Sequence, residues 1–97
     1  MSAIEAIPSC VLFVEVANMR GLHARAAARF VRLAETFDVQ VEVRHAQRSV
    51  VGTSLMGLLL LGAGKGSTLE ISCHGVAAQD ACQALADLVS RRFDEES

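Results

Sequence analysis

Apolar and polar residues change rhythm several times along the chain, and each change marks an element. From Cys10 to Val16, "CVLFVEV" is dense in β-branched and aromatic residues and predicts a buried strand, with Asn18 to Gly21 as the loop that follows. The period then becomes helical. Ala27, Phe30, Val31 and Ala34 recur on one face, widened by Ala26, Leu33 and Phe37, while Arg25, Arg29 and Arg32 fall elsewhere. "VQVEVRH" (39–45) alternates Val39, Val41 and Val43 with polar residues, as a strand with one wet face does, and "QRSVVG" pairs back on it. Thr53 or Ser54 offers an N-cap to the apolar run Leu55 to Leu61, which Gly62 closes. "STLEISC" alternates again. A last helix over Ala78 to Phe93 is lined by Ala81, Leu85, Leu88 and Val89 and has no strong N-cap. The order strand, helix, strand, strand, helix, strand, helix predicts an α+β sandwich with one sheet and the helices packed on a single face.

A length of 97 residues suits one domain over 1–97, with a core about 10–93 and flexible ends at 1–9 and 94–97, where "DEES" is expected to fray. Hydrophobic residues make up 52% of the chain, but the longest apolar run, "LMGLLLLGAG", is too short to span a bilayer. No membrane insertion is expected. The start "MSAIEAIPSC" lacks a basic n-region and carries Glu5 in its apolar patch, so it does not read as a secretory signal and a cytoplasmic location is expected. Three cysteines, Cys10, Cys73 and Cys82, form no C-x-x-C pair and are expected as free thiols. A net charge of −2 and the lack of Trp and Tyr argue against nucleic acid as a partner.

The candidate chemistry lies in "RGLHARAAARF" (20–30). His23 stands where the first helix begins, beside backbone N–H groups that have no intrahelical acceptor. Such a place leaves a ring nitrogen available as a nucleophile and accommodates a dianion attached to it. Arg25, two residues on, has the reach for charge-assisted hydrogen bonds to the same oxygens. Together they describe a phosphohistidine site, against the plainer reading of His23 as a helix cap. Metal binding is a rival, because His23, His45, His74 and the cysteines are ligand types, but none falls at a zinc spacing, and neither metal nor cofactor is expected. No G-x-S-x-G elbow is present, and no second carboxylate marks a site near Glu42 or Glu70. "GAGKG" around Lys65 reads as a glycine-rich turn, since it lacks Walker spacing.

"GLHARAAARFV" resembles the active-site segment of the HPr family, the histidine-containing phosphocarriers of the bacterial phosphoenolpyruvate-dependent phosphotransferase system, whose pattern is G-[LI]-H-x-R-P-A. "TSLMGLLLLGAGKG" is similar to the family's regulatory-serine segment, and the separation of His23 from Ser54 matches without a gap. The resemblance runs from about Cys10 to Phe93 and implies the HPr fold, an α+β open-faced sandwich in βαββαβα order with a four-stranded antiparallel sheet and three helices on one face. It implies that His23 accepts a phosphoryl group on Nδ1 from phosphorylated enzyme I and passes it to an enzyme IIA-type acceptor, with Arg25 stabilising it. The protein is then a monomeric carrier in a relay rather than an enzyme with its own turnover, and the ring is expected exposed and shallow.

Ser54 matches the serine modified in many members by HPr kinase/phosphorylase, although an N-cap role alone also accounts for it. Leu55, Met56 and Leu59 match the family's docking patch, and Arg29 and Arg32 extend a basic rim. An all-apolar helix in so small a domain cannot bury every side chain, which independently predicts exposure. One departure stands out: Ala26 replaces the family's proline. Alanine restores an N–H while its helix propensity keeps the turn. If that change disables the site, the alternative is an HPr-fold regulatory binding module without effective phosphotransfer.

Overall fold

The computed structural model describes residues 8–97, so most of the flexible start expected over 1–9 lies outside the described residues. The elements are β1 (Ser9–Glu15), α1 (Ala24–Glu35), β2 (Gln40–His45), β3 (Arg48–Val51), α2 (Leu55–Leu60), β4 (Thr68–His74) and α3 (Ala78–Ser90), followed by a short turn over Arg92–Asp94. They form one antiparallel sheet in the order β1-β4-β2-β3 with the three helices, in the predicted sequence of elements.

Register decides which side chains the helices cover. Cys10 faces Cys73, which faces Val41; Leu12 faces Ile71, which faces Val43. These rows line the inner face and meet Phe30, Leu58, Leu85 and Val89, all fully buried. Each such side chain contributes about 2–3 kcal/mol by leaving water. The alternate rows face solvent, where Phe13 lies opposite Glu70 and Glu70 opposite Arg44. The expectation that "CVLFVEV" is buried is corrected here. As an edge strand β1 pairs with β4 alone among the described residues, and its outer residues Val11 and Phe13 are exposed.

The helices bear out the apolar stripes. In α1 Ala26, Ala27, Phe30 and Ala34 are buried, while Val31, Leu33 and, just beyond the helix, Phe37 pack partly. Ser54 is the N-cap of α2, accepting from the Gly57 N–H at 3.0 Å, and Gly62 follows the helix with φ +64°. In α3 the start has no side-chain cap, as expected, and the helix stops at Ser90, short of the predicted Phe93. The periodic pattern runs on through Phe93, but the chain reverses there: Arg92, Phe93 and Asp94 all take positive φ, which turns the Phe93 ring into the core. Burial drives the Cys73 and Cys82 thiols above their ordinary pKa.

Candidate functional site

Gly21 sets the approach to the site. Its φ is +66°, and a Cβ there would stand 2.6 Å from the Ala63 carbonyl oxygen and 2.7 Å from the Gly64 Cα. The loop after α2 is thereby pressed against the loop before α1, and the Leu22 N–H donates to the Ala63 carbonyl at 2.9 Å. The chain then enters α1 through His23, whose φ of −82° and ψ of −178° are those of an N-cap.

As cap, His23 turns Nδ1 to the backbone N–H of Arg25, which donates to it at 3.3 Å. A nitrogen that accepts carries a lone pair, so the ring proton belongs on Nε2. Nε2 meets a carboxylate oxygen of Glu95, which arrives from the far end of the chain. The other Glu95 oxygen accepts from Asn18 Nδ2 at 2.9 Å, and the same amide nitrogen donates to the Gly21 carbonyl at 2.8 Å. Both hydrogens of the buried Asn18 amide are thus used to join loop and tail. Burial by itself would raise the Glu95 carboxyl pKa. The hydrogen bonds from Asn18 and His23, with the charges of a protonated His23 ring and of Arg29, outweigh it, so the group sits below its ordinary value.

The expected site residues divide into those free to meet a ligand or partner and those already engaged. Arg25 and Arg32 are exposed. Arg29, expected on a basic rim, is half-buried and gives a guanidinium N–H to the Phe93 carbonyl, so it clasps the tail. Leu55 and Met56 are exposed, with Met56 at 65%, whereas Leu59 is half-buried against the core and Leu60, not singled out by the sequence, is exposed at 62%. Ala26 is fully buried within an unbroken first turn, so the helix begins without proline. His45 and His74 are the last residues of β2 and β4.

The ring is less open than expected: the His23 side chain is 15% exposed, because the tail covers its Nε2 edge. The sequence pattern predicts a frayed end over 94–97 and gives Glu95 no role. In the structure this segment folds back on the loop, where the Met19 N–H also donates to the Ser97 carbonyl oxygen. A signal was present in the sequence, namely the apolar anchor Phe93 followed by acidic residues, complementary to His23, Arg25 and Arg29.

A cap histidine with an accepting Nδ1, on this order of strands and helices, is the arrangement that comparison with known proteins resolves. Residues 13–91 match the family model described as the PTS HPr component phosphorylation site. The chain belongs to the HPr family. It is 42% identical over 85 residues to the phosphocarrier protein HPr of Pseudomonas aeruginosa, covering 87% of this chain and 94% of that one. It is also 37% identical over 84 residues to the phosphocarrier protein NPr of Shewanella violacea, at 87% and 92% coverage. Among solved structures, HPr-C-His from Thermoanaerobacter tengcongensis superposes with a TM-score of 0.86 at 36% identity, covering 91% of this chain and 99% of that one. The HPr resemblance and the βαββαβα sandwich read from the sequence therefore stand. Among the described residues no helix is long and apolar enough to cross a membrane.

Proposed function

We propose that the protein is a phosphocarrier of the phosphotransferase system, in which His23 Nδ1 accepts a phosphoryl group from phosphorylated enzyme I and surrenders it to an enzyme IIA-type acceptor. The observation that carries this reading is the cap geometry of His23: Nδ1 accepts from the Arg25 N–H at 3.3 Å, at the positive end of a twelve-residue helix. In the first transfer the Nδ1 lone pair forms the N–P bond while the donor's bond to phosphorus breaks and its electron pair leaves with the donor. In the second the N–P bond breaks and its pair returns to the ring.

Phosphoryl transfer asks chiefly for positioning and charge stabilisation. Unpaired amides of the first turn of α1 serve the phosphoryl oxygens, and the exposed Arg25 guanidinium is free to fold over them. Alanine at position 26 leaves that turn intact and adds one more N–H, which favours a working carrier over a binding module without transfer. Leu55 and Met56, with Leu59 beneath them, are the apolar surface we assign to docking, and Arg32 is its basic edge. Ser54 is assigned as the regulatory position for HPr kinase/phosphorylase: a phosphate there places negative charge beside Leu55 and Met56 and opposes docking.

Intact-mass spectrometry after incubation with phosphoenolpyruvate and enzyme I tests the carrier role. One acid-labile phosphoryl group is expected on the wild type and none on His23→Ala. A wild type that stays unmodified while enzyme I is charged would reject it.

A further inference from the structure

The tail contact gives His23 a second partner whose consequence lies in the chemistry of the ring. Glu95 meets Nε2 and not Nδ1. Its carboxylate is held from behind by the Asn18 amide at 2.9 Å, and the segment that carries it is pinned on both sides, by Phe93 in the core and by the Met19 N–H on Ser97. The side chains of His23 and Glu95 are only 15% and 14% exposed, so water competes poorly for this contact. A buried amide whose two hydrogens are both committed to loop and tail is a costly way to fix a frayed end, and a direct way to aim a carboxylate.

The geometry points to Glu95 as a positioning residue for phosphoryl transfer: it holds the ring proton at Nε2, leaves the lone pair on Nδ1, and remains as counter-charge when Nδ1 carries phosphorus. This rests on the phosphocarrier reading above. In the neutral ring the Nε2 proton is donated to the carboxylate. When the Nδ1 pair forms the bond to phosphorus, the ring becomes cationic with that proton still on Nε2, and the positive charge lies between Glu95 on one edge and the phosphoryl group on the other. When the N–P bond breaks, its pair returns to Nδ1 and the neutral ring departs with its proton unmoved. No proton has to be found or shed in either direction, which suits a carrier that must give as readily as it receives. A deprotonated Nε2 would make the ring a poorer leaving group, so the carboxylate keeps the phosphorylated form competent to higher pH.

The charged groups around this pair fit the assignment. Arg29 of α1 faces Glu95 and clasps the Phe93 carbonyl, Arg25 is exposed on the first turn, and Asp94 is turned away to Arg91 at 2.7 Å. Asn18 on the loop is uncharged. Glu95 is thus the carboxylate that His23 meets among the described residues.

Two measurements on the full chain test the assignment. In the unphosphorylated protein, 15N imidazole NMR is expected to show a slowly exchanging Nε2 proton on His23 in the wild type, lost in Glu95→Ala. In the phosphorylated protein, the alkaline limb of the rate of transfer to an enzyme IIA-type acceptor is expected to move to lower pH by about one unit in Glu95→Gln. A limb that stays in place, with the Nε2 proton equally protected in the wild type and in Glu95→Ala, would reduce Glu95 to a tail anchor and overturn the proposal. The NMR arm needs no phosphorylation. A wild type that takes no phosphoryl group therefore defeats the carrier reading, while the Nε2 proton still decides whether Glu95 holds the ring.

Discussion

Asn18 and Glu95 lie 77 positions apart and share a hydrogen bond of 2.9 Å, while the same Asn18 nitrogen holds the Gly21 carbonyl at 2.8 Å. One buried side chain therefore joins the loop that presents His23 to the tail that covers it. Asn18→Asp replaces a donor by an acceptor against two acceptors and buries a charge. A loss of about 3 kcal/mol is expected in urea denaturation, since an unsatisfied buried polar group forfeits its solvation as well as its bond. Stability within a few tenths of wild type would show that the loop and tail do not depend on this amide.

Gly21→Ala is expected to damage the site more than its size suggests. The new Cβ meets backbone atoms of Ala63 and Gly64 at 2.6 and 2.7 Å, where no side chain can swing aside, and φ of +66° adds strain. Thermal unfolding should report a loss of about 2 kcal/mol or more, and phosphorylation of His23 should slow as the cap shifts.

Phe93 is the anchor of the tail, and its truncation separates anchoring from chemistry. Phe93→Ala opens a cavity beneath α1 at a cost of about 3 kcal/mol. It also frees the turn in which Arg92, Phe93 and Asp94 hold positive φ. Amide hydrogen exchange at Met19, whose N–H donates to Ser97, is expected to quicken by a larger factor than exchange in the sheet.

The acid dependence of the tail contact follows from Glu95. Its carboxyl in the folded chain lies below the ordinary value of 4.5: burial pulls upward, but the Asn18 and His23 hydrogen bonds, with the charges of a protonated His23 ring and of Arg29, outweigh it. A depressed folded value stabilises the fold above the unfolded pKa, and that stability is lost as pH falls through the folded pKa. The stability gap between wild type and Glu95→Gln, read from urea midpoints, should be full above about pH 5 and close on further acidification. A gap that widens with acid would contradict the assignment.

Ser54 allows cap and regulation to be told apart. Ser54→Ala removes the acceptor for the Gly57 N–H and should cost about 1 kcal/mol with little effect on transfer. Ser54→Asp keeps a capping oxygen but sets a charge beside Leu55 and Met56. Its stability should stay near wild type while the KM for enzyme I rises, as charge at a docking surface weakens encounter.

What the chain determined by itself is local. Helical spacing in 24–35, strict alternation in 40–45 and 68–74, and the start of α1 at His23 act over a few residues, so the pattern of side chains was enough to place them, while the choice of Ser54 over Thr53 as cap of α2 came from the structure. The His23 Nδ1 contact with the Arg25 N–H is of this kind, a bond across two residues, which is why the cap geometry of the candidate site was legible before the fold. Tertiary structure decided the rest. Whether "CVLFVEV" is central or an edge depends on a partner strand more than fifty residues away, and the pattern ran α3 through Phe93 because an apolar residue four places after Val89 suits a continuing helix equally well. Only packing under α1 chooses the reversal that buries Phe93 instead. That choice brings Glu95 across 72 positions to His23 and across 77 to Asn18, and no periodicity encodes contacts made by chain reversal and burial.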